Sequence, residues 1–316
     1  MAELINTFSW SFSAANDFDE CRRKRYWAKY AMWNGWNASA PQLKRDAYRL
    51  TKIENRYSLK GHAVELAIMW ALKQKQQGVD VSVEQAYEEI ARPYLNKAWQ
   101  DSKNEKWREH PKAYCCLHEH YYTKFHPGNS REWTQSTMTE VKTCIENFIQ
   151  SVLPRLALVR PEQEQTIATP EKGGDPESFL FNDLKIYAIP DYVYTVDDQW
   201  HIHDWKSGKP SGKHLDQLAI YGLWAQTKHH IPLEKIHIYI EYLLFDKVVT
   251  HTLTEEDIHR VRSRIHESVG DMSEYLIEGD RKKNKPVLQE EWELASSRSL
   301  CQRCNFYELC ESEFND

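Results

Sequence analysis

Apolar residues recur at helical spacing in CRRKRYWAKYAMW (21–33) and in GHAVELAIMWALKQKQQG (61–78), so the first 155 or so positions are expected to be mostly helical. A polar stretch at 101–110 predicts a loop or helix end, and a further helix is expected over 137–156. PEQEQTIATPEKGGDPES, rich in Pro, Gly and Glu, then reads as a surface connection. Beyond it the period changes. From 179 to 206, β-branched and aromatic residues alternate around a VDDQ turn, which predicts one antiparallel hairpin. A helix follows over 214–227, then strands over 235–244 and 247–253. Thr254 and Asp257 are spaced like a capping box ahead of a helix with Ile258, Val261, Ile265, Val269 and Met272 on one face.

The longest apolar runs, 66–72 and 218–225, fall well short of the ~18 residues of a membrane span. The first twenty residues have neither the basic start nor the apolar stretch of a secretory signal, so a soluble, cytoplasmic protein is expected. At 316 residues the chain can bury a sizeable core, as one elaborated domain or two small ones. A formal net charge of −6 excludes nucleic-acid binding through overall basicity, so any such contact must use a local patch. The densest patch is Arg22, Arg23, Lys24 and Arg25, followed by Tyr26, Trp27 and Tyr30; Lys209 and Lys213 are further phosphate candidates on the loop after the 179–206 hairpin.

The most informative chemistry is Pro190-Asp191 followed by Asp204-Trp205-Lys206. Residues two apart on a strand project from the same face, ~6.6 Å apart at ~3.3 Å per residue. Asp204 and Lys206 therefore point the same way, and the hairpin returns Asp191 beside them. Two carboxylates and an ammonium converging at a sheet end can hold a hard divalent cation next to a water and a phosphate. In the next helix Gln217 and Tyr221 are spaced i, i+4. A Gln on an otherwise apolar helix face needs a hydrogen-bond partner, which a site at the sheet edge would supply. His201 and His203 fall on the strand face opposite Asp204 and read as structural, and His118 and His120 in LHEHYY are too isolated to argue for a metal.

Of seven cysteines, Cys301, Cys304 and Cys310 form C-x2-C-x5-C near one end, and Cys21 lies near the other. Three thiolates are one short of what tetrahedral zinc or a four-iron cluster takes, and Cys21 completes the set if the chain ends meet. Cys115, Cys116 and Cys144 read as structural.

Together these residues resemble the PD-(D/E)-x-K nucleases, specifically their RecB-like branch: an acid after Pro, D-x-K on the next strand, and Q-x-x-x-Y on a helix match Asp191, Asp204, Lys206, Gln217 and Tyr221 in order. That branch also places a His near the start of an upstream helix, the position of His62 in KGHAVE. One Cys upstream and C-x2-C-x5-C downstream resembles its iron–sulfur subset, which includes AddB-type nuclease domains and CRISPR-associated RecB-like exonucleases. The resemblance implies an α/β, restriction-endonuclease-like mixed sheet flanked by helices, in one nuclease domain over 1–316. Within it, 1–160 would be a mainly helical part, 177–278 the catalytic sheet core and 295–316 a cluster-binding end. It implies Mg²⁺ or Mn²⁺ on His62, Asp191, Asp204 and the Trp205 main-chain carbonyl, and a [4Fe-4S] cluster on Cys21, Cys301, Cys304 and Cys310. Lys206 would orient the attacking water, with Gln217 and Tyr221 positioning the strand. The implied activity is exonuclease cleavage of single-stranded DNA, in repair, CRISPR adaptation or phage defence, with a helicase or CRISPR integrase as possible protein partner and no membrane. A second reading fits the same residues: a catalytically silent DNA-binding or assembly subunit with a structural or redox-sensing cluster.

Overall fold

The computed structural model describes residues 5–165 and 175–314. The helical first part holds α1 (Phe12–Glu20), α2 (Arg22–Tyr26), α3 (Gln42–Leu50), α4 (Arg56–Gln76), α5 (Val83–Gln85), α6 (Arg92–Lys103), α7 (His118–Tyr121) and α8 (Ser130–Asn147), with the short strands β1 (Ser9–Trp10), β2 (Ile53–Glu54) and β3 (Cys116–Leu117). The helix expected over 137–156 begins seven residues earlier, where the Asn129 side chain caps the Arg131 N–H, and passes into π and 3₁₀ turns after Asn147. The later part holds β4 (Ser178–Phe181), β5 (Leu184–Tyr187), β6 (Tyr192–Val196), β7 (Gln199–Lys206), α9 (Lys213–His229), β8 (Ile236–Tyr242), β9 (Lys247–Thr252), α10 (Glu255–Glu274) and two short helices, α11 (Arg298–Cys301) and α12 (Tyr307–Cys310). Thr254 and Asp257 form the reciprocal capping box of α10. Part of the expected connection over 161–178 lies outside the described residues.

The single hairpin expected over 179–206 is two hairpins in two sheets. Asn182-Asp183 and Asp197-Asp198 each take positive φ at both positions, the geometry of a two-residue turn whose twist matches the flanking strands. The first turn joins β4 to β5, and β5 pairs in parallel with β1. The second joins β6 to β7 in a four-stranded mixed sheet ordered β6-β7-β8-β9, with β7 and β8 parallel. The sequence supplied a strand period across the whole stretch, but Asn182-Asp183 lacks the glycine that usually marks such a turn.

The alternation of β7 assigns its faces. Trp200 and Ile202 pack with Ile238 and Ile240 of β8 against α9 and α10 in one buried core. At Gly222, α9 approaches so closely that an added Cβ would lie 2.2 Å from Leu253 Cδ1. The opposite face, through Tyr192 and Tyr194, joins α4, α6 and α8 in a second core. His201 and His203 lie on that second face, where His203 bonds Glu241 at 3.2 Å and Glu241 bonds Arg155 at 2.8 Å. A third cluster gathers Trp27, Leu50, Trp107, Phe306 and Cys310, so that the two ends of the sequence meet. Among the described residues no helix is long and apolar enough to cross a membrane.

Candidate active site

Asp204 is buried in the interior of the mixed sheet, with Lys206 two residues on along the same face of β7. The Lys206 ammonium stands 2.5 Å from Asp204 Oδ2. Among the described residues that ion pair is the contact this buried oxygen makes, with no further hydrogen bond to it. Asp191, at the entrance to β6, turns its Oδ2 onto the Trp205 main-chain N–H at 2.6 Å. Burial, followed by the Asp204 charge, holds its carboxyl well above the usual value near 3.8.

From α9, Gln217 Oε1 accepts from Lys206 Nζ at 3.0 Å while its Nε2 donates to the Tyr221 hydroxyl at 2.8 Å. The Tyr221 proton faces the Ile189 carbonyl at 3.1 Å and Asp204 Oδ1 at 3.2 Å. The i, i+4 spacing thus places one amide and one phenol to hold both members of the D-x-K pair, and the partner that Gln217 needed is Lys206. Burial drives the tyrosine pKa well up, with the Asp204 charge next, so its proton stays on.

α4 enters from the other side. Gly61 lies where an added Cβ would touch Ser207 Oγ at 3.8 Å, which puts the second turn of α4 beside the end of β7. His62 is half exposed and its Nδ1 lies 3.4 Å from Glu54 Oε2 of β2, which raises the imidazole above its usual 6.5. Two acids absent from the sequence reading belong here. Glu54 arrives through the parallel pairing of β2 with β3, and Glu65, one turn beyond His62, is near enough for its charge to act on both His62 and Asp191. Spacing His62 and Glu65 three apart on one helix was the signal that could have found the second; nothing local marks Glu54.

The start of α4 is fixed from β3. The buried Glu119 carboxylate, just after β3 and at the head of α7, accepts from the Arg56 N–H at 3.1 and 3.3 Å, a charge placed where helix N–H groups lack partners. His118 is buried against His126 at 2.9 Å. LHEHYY, which sequence left without a role, is therefore the socket between α4 and the cysteine-bearing end: Tyr122 OH donates to the Asn305 carbonyl at 2.8 Å and Asn305 Nδ2 donates to the Ile53 carbonyl at 2.8 Å.

Cys21, Cys301, Cys304 and Cys310 line one cavity of about 320 Å³, together with Asn55 and Tyr57 at the start of α4. Burial pushes the Cys304 thiol up to about 12 and that of Cys310 to about 11, although Trp27 Nε1 donates to Cys310 Sγ at 3.3 Å. Among the described residues no three His, Cys, Asp or Glu side chains are arranged to close on an ion. Cys144 is packed in the second core and Cys116 in the third.

The basic patch requires a correction. Arg23 is buried, its Nε donating to the Trp292 carbonyl at 2.7 Å and its Nη1 pairing with Glu313 at 2.5 Å, so it has no free face for a phosphate. Arg22 bonds the Phe18 carbonyl at 2.6 Å and lies over the Phe18 ring, and Lys24 pairs with Asp17 at 2.6 Å. Arg23 thus clamps the C-terminal segment, while Arg22 and Lys24 are held against α1. Lys209 is exposed on the loop after β7; Lys213 begins α9, and its side chain lies outside the described residues.

The model of the PD-(D/E)XK nuclease superfamily matches residues 9–311. No curated protein matches the chain significantly.

Proposed function

The chain belongs to the PD-(D/E)XK nuclease superfamily, whose members are metal-dependent phosphodiester hydrolases acting on DNA, and from that premise we propose that it is an exonuclease of the RecB-like iron–sulfur branch, acting on single-stranded DNA. The observation that carries the reading is the convergence of buried Asp204, ion-paired through Oδ2 with Lys206, and Asp191 at the end of the sheet, in a site whose lysine is held by Gln217. Two carboxylates brought together against a single ammonium suit a divalent cation. Asp191, Asp204, His62 and the Trp205 carbonyl would hold Mg²⁺ or Mn²⁺, with imidazole favouring Mn²⁺. Such an ion supplies charge for the phosphoryl group and acidifies water. Lys206, held between Asp204 and Gln217, would orient the attacking water and offset charge on the phosphoryl oxygens. Gln217 limits where the ammonium can go, and Tyr221 keeps Asp204 in register. In-line attack leaves 5′-phosphate and 3′-hydroxyl ends.

Cys21, Cys301, Cys304 and Cys310 would hold a [4Fe-4S] cluster. Four soft donors lining one cavity support this, and so does the burial of Cys301 and Cys310, where a thiolate is costly without a compensating cation. The cluster would tie positions 21 and 301 together as a structural staple.

The test is cleavage of end-labelled single-stranded DNA with Mn²⁺ by protein purified without oxygen, wild type against Lys206→Ala at equal cluster content. Loss of cleavage in the variant is expected, and the labelled end gives the polarity. Equal activity in both, or an inactive wild type, overturns the assignment; the latter would favour a binding or assembly subunit. A colourless, zinc-containing protein would overturn the cluster.

A further inference from the structure

A second cavity, of about 390 Å³ and lined in part by Glu54, opens where the chain enters β2 and β3. It is within the ~300–1,000 Å³ range of ligand pockets. Its walls carry Lys52, Lys97 and Lys112 with Tyr94 and Tyr114, and Glu54 is the residue it shares with the candidate active site.

The charges are not balanced internally. Lys97 pairs with Asp101, one turn on along α6. Lys52 and Lys112 carry no ion pair to a carboxylate among the described residues; Lys52 rests over the Tyr48 ring, and Lys112 is exposed. The pairing of β2 with β3 brings these two ammonium groups near each other, 60 positions apart in sequence, because Lys52 immediately precedes β2 and Lys112 lies in the turn ahead of β3. Each repels the other, and burial of Lys52 further disfavours its charge. An anion between them removes both penalties. Tyr94 and Tyr114 add aromatic surface to the same walls, which suits a nucleobase better than a bare phosphate. In a protein with a formal charge of −6, a pair of lysines without acidic partners beside the candidate metal site is a feature the surface does not otherwise require.

We propose that this cavity is a subsite for the substrate strand: it takes a nucleotide next to the scissile one, with its phosphates between Lys52 and Lys112 and its base against Tyr94 or Tyr114. The inference rests on the nuclease reading above and deepens it, since it places the strand on the Glu54 side of the site.

The experiment uses full-length protein carrying Asp204→Asn, so that strands are bound without being cut, and follows fluorescein-labelled oligo-dT by anisotropy from 50 to 200 mM salt. Lys52→Ala/Lys112→Ala is compared with Lys73→Ala/Lys282→Ala, two exposed lysines elsewhere, and with Lys52→Arg/Lys112→Arg. Each phosphate contact contributes ~0.7 to the log–log salt slope on single strands, so the alanine pair should lower the slope by about 1.4 and weaken binding about 5- to 20-fold at the low-salt end. The control pair should match the parent, and the arginine pair should retain the slope. If the double variant fails to fold, Lys112→Ala alone, at an exposed position, should lower the slope by about 0.7. An unchanged slope and affinity with intact DNA binding by the parent overturns the subsite and leaves the nuclease reading standing. Absence of any DNA binding by the parent overturns the nuclease reading, and the subsite with it. Competition by dTMP at concentrations that match a 20-mer would show that the cavity takes free nucleotides, and would overturn a role in holding the strand.

Discussion

Asp191 is hydrogen-bonded through Oδ2 to the main-chain N–H of Trp205, the residue between Asp204 and Lys206. The hairpin therefore locks its first acid onto the backbone of the strand carrying the second, and the two carboxylates cannot separate to relieve their repulsion. This is why proximity to Asp204 adds to burial in raising the Asp191 pKa.

A pH signature follows from that shift. Between about 3.8 and the raised value, folded protein keeps a proton that the unfolded chain has released, so stability of the metal-free protein falls as pH rises through that window. Asp191→Asn should abolish this slope and raise the neutral-pH Tm by about 2–6 °C while eliminating cleavage, as expected where a site is held together at a cost in stability. Urea unfolding at a series of pH values, with and without Mn²⁺, checks it. A slope that persists in the Asn variant would assign the titration to another group.

Gln217 joins Lys206 to Tyr221, so its removal should act on chemistry more than on binding. Gln217→Leu keeps the volume and leaves the ammonium without its acceptor. We expect kcat to fall about 10- to 100-fold with KM for DNA changed less than 3-fold, at about 1–2 kcal/mol of stability. Combined with Lys206→Ala, the loss should be far from additive, because the two act as one unit. Full additivity in the double-mutant cycle would separate them.

How far the site could be read in advance depended on whether its parts are local. Asp204 and Lys206 share a strand face, and Gln217 and Tyr221 share a helix face, so period alone aligned each pair. Glu54 and Glu119 are set in place by pairing β2 with β3 across 63 positions, a contact with no periodic trace. Arg23 sits in a basic run that looks solvent-facing until Trp292 and Glu313 come back across it. The β4–β5 hairpin was hidden for a different reason. Asn and Asp tolerate positive φ without glycine, so the turn at Asn182-Asp183 interrupted an alternating stretch without an evident breaker.

Arg23 yields a prediction that separates a clamp from a DNA contact. Arg23→Ala removes two hydrogen bonds to a buried guanidinium and should cost about 2–3 kcal/mol, lowering Tm by roughly 3–5 °C. The salt slope for oligo-dT binding should not change, since no phosphate is lost. A reduced slope with an unchanged melt would restore the nucleic-acid role.

Glu119 supports α4 from outside the site, through the Arg56 N–H. Glu119→Gln keeps the shape but removes the charge facing the helix N-terminus, and should cost about 1–2 kcal/mol. Because α4 carries His62 and Glu65, the same change should weaken Mn²⁺ binding, whereas a Glu119 that merely filled space would leave the ion's affinity untouched. Calorimetric titration of Mn²⁺ into both proteins makes the distinction. The cavity lined by the four cysteines abuts Asn55, the cap of the same helix, so Cys304→Ser should loosen residues 53–58 and 118–122 to hydrogen exchange before it affects β7. Uniform loosening of the whole fold would mean that the staple acts globally, with no path through α4.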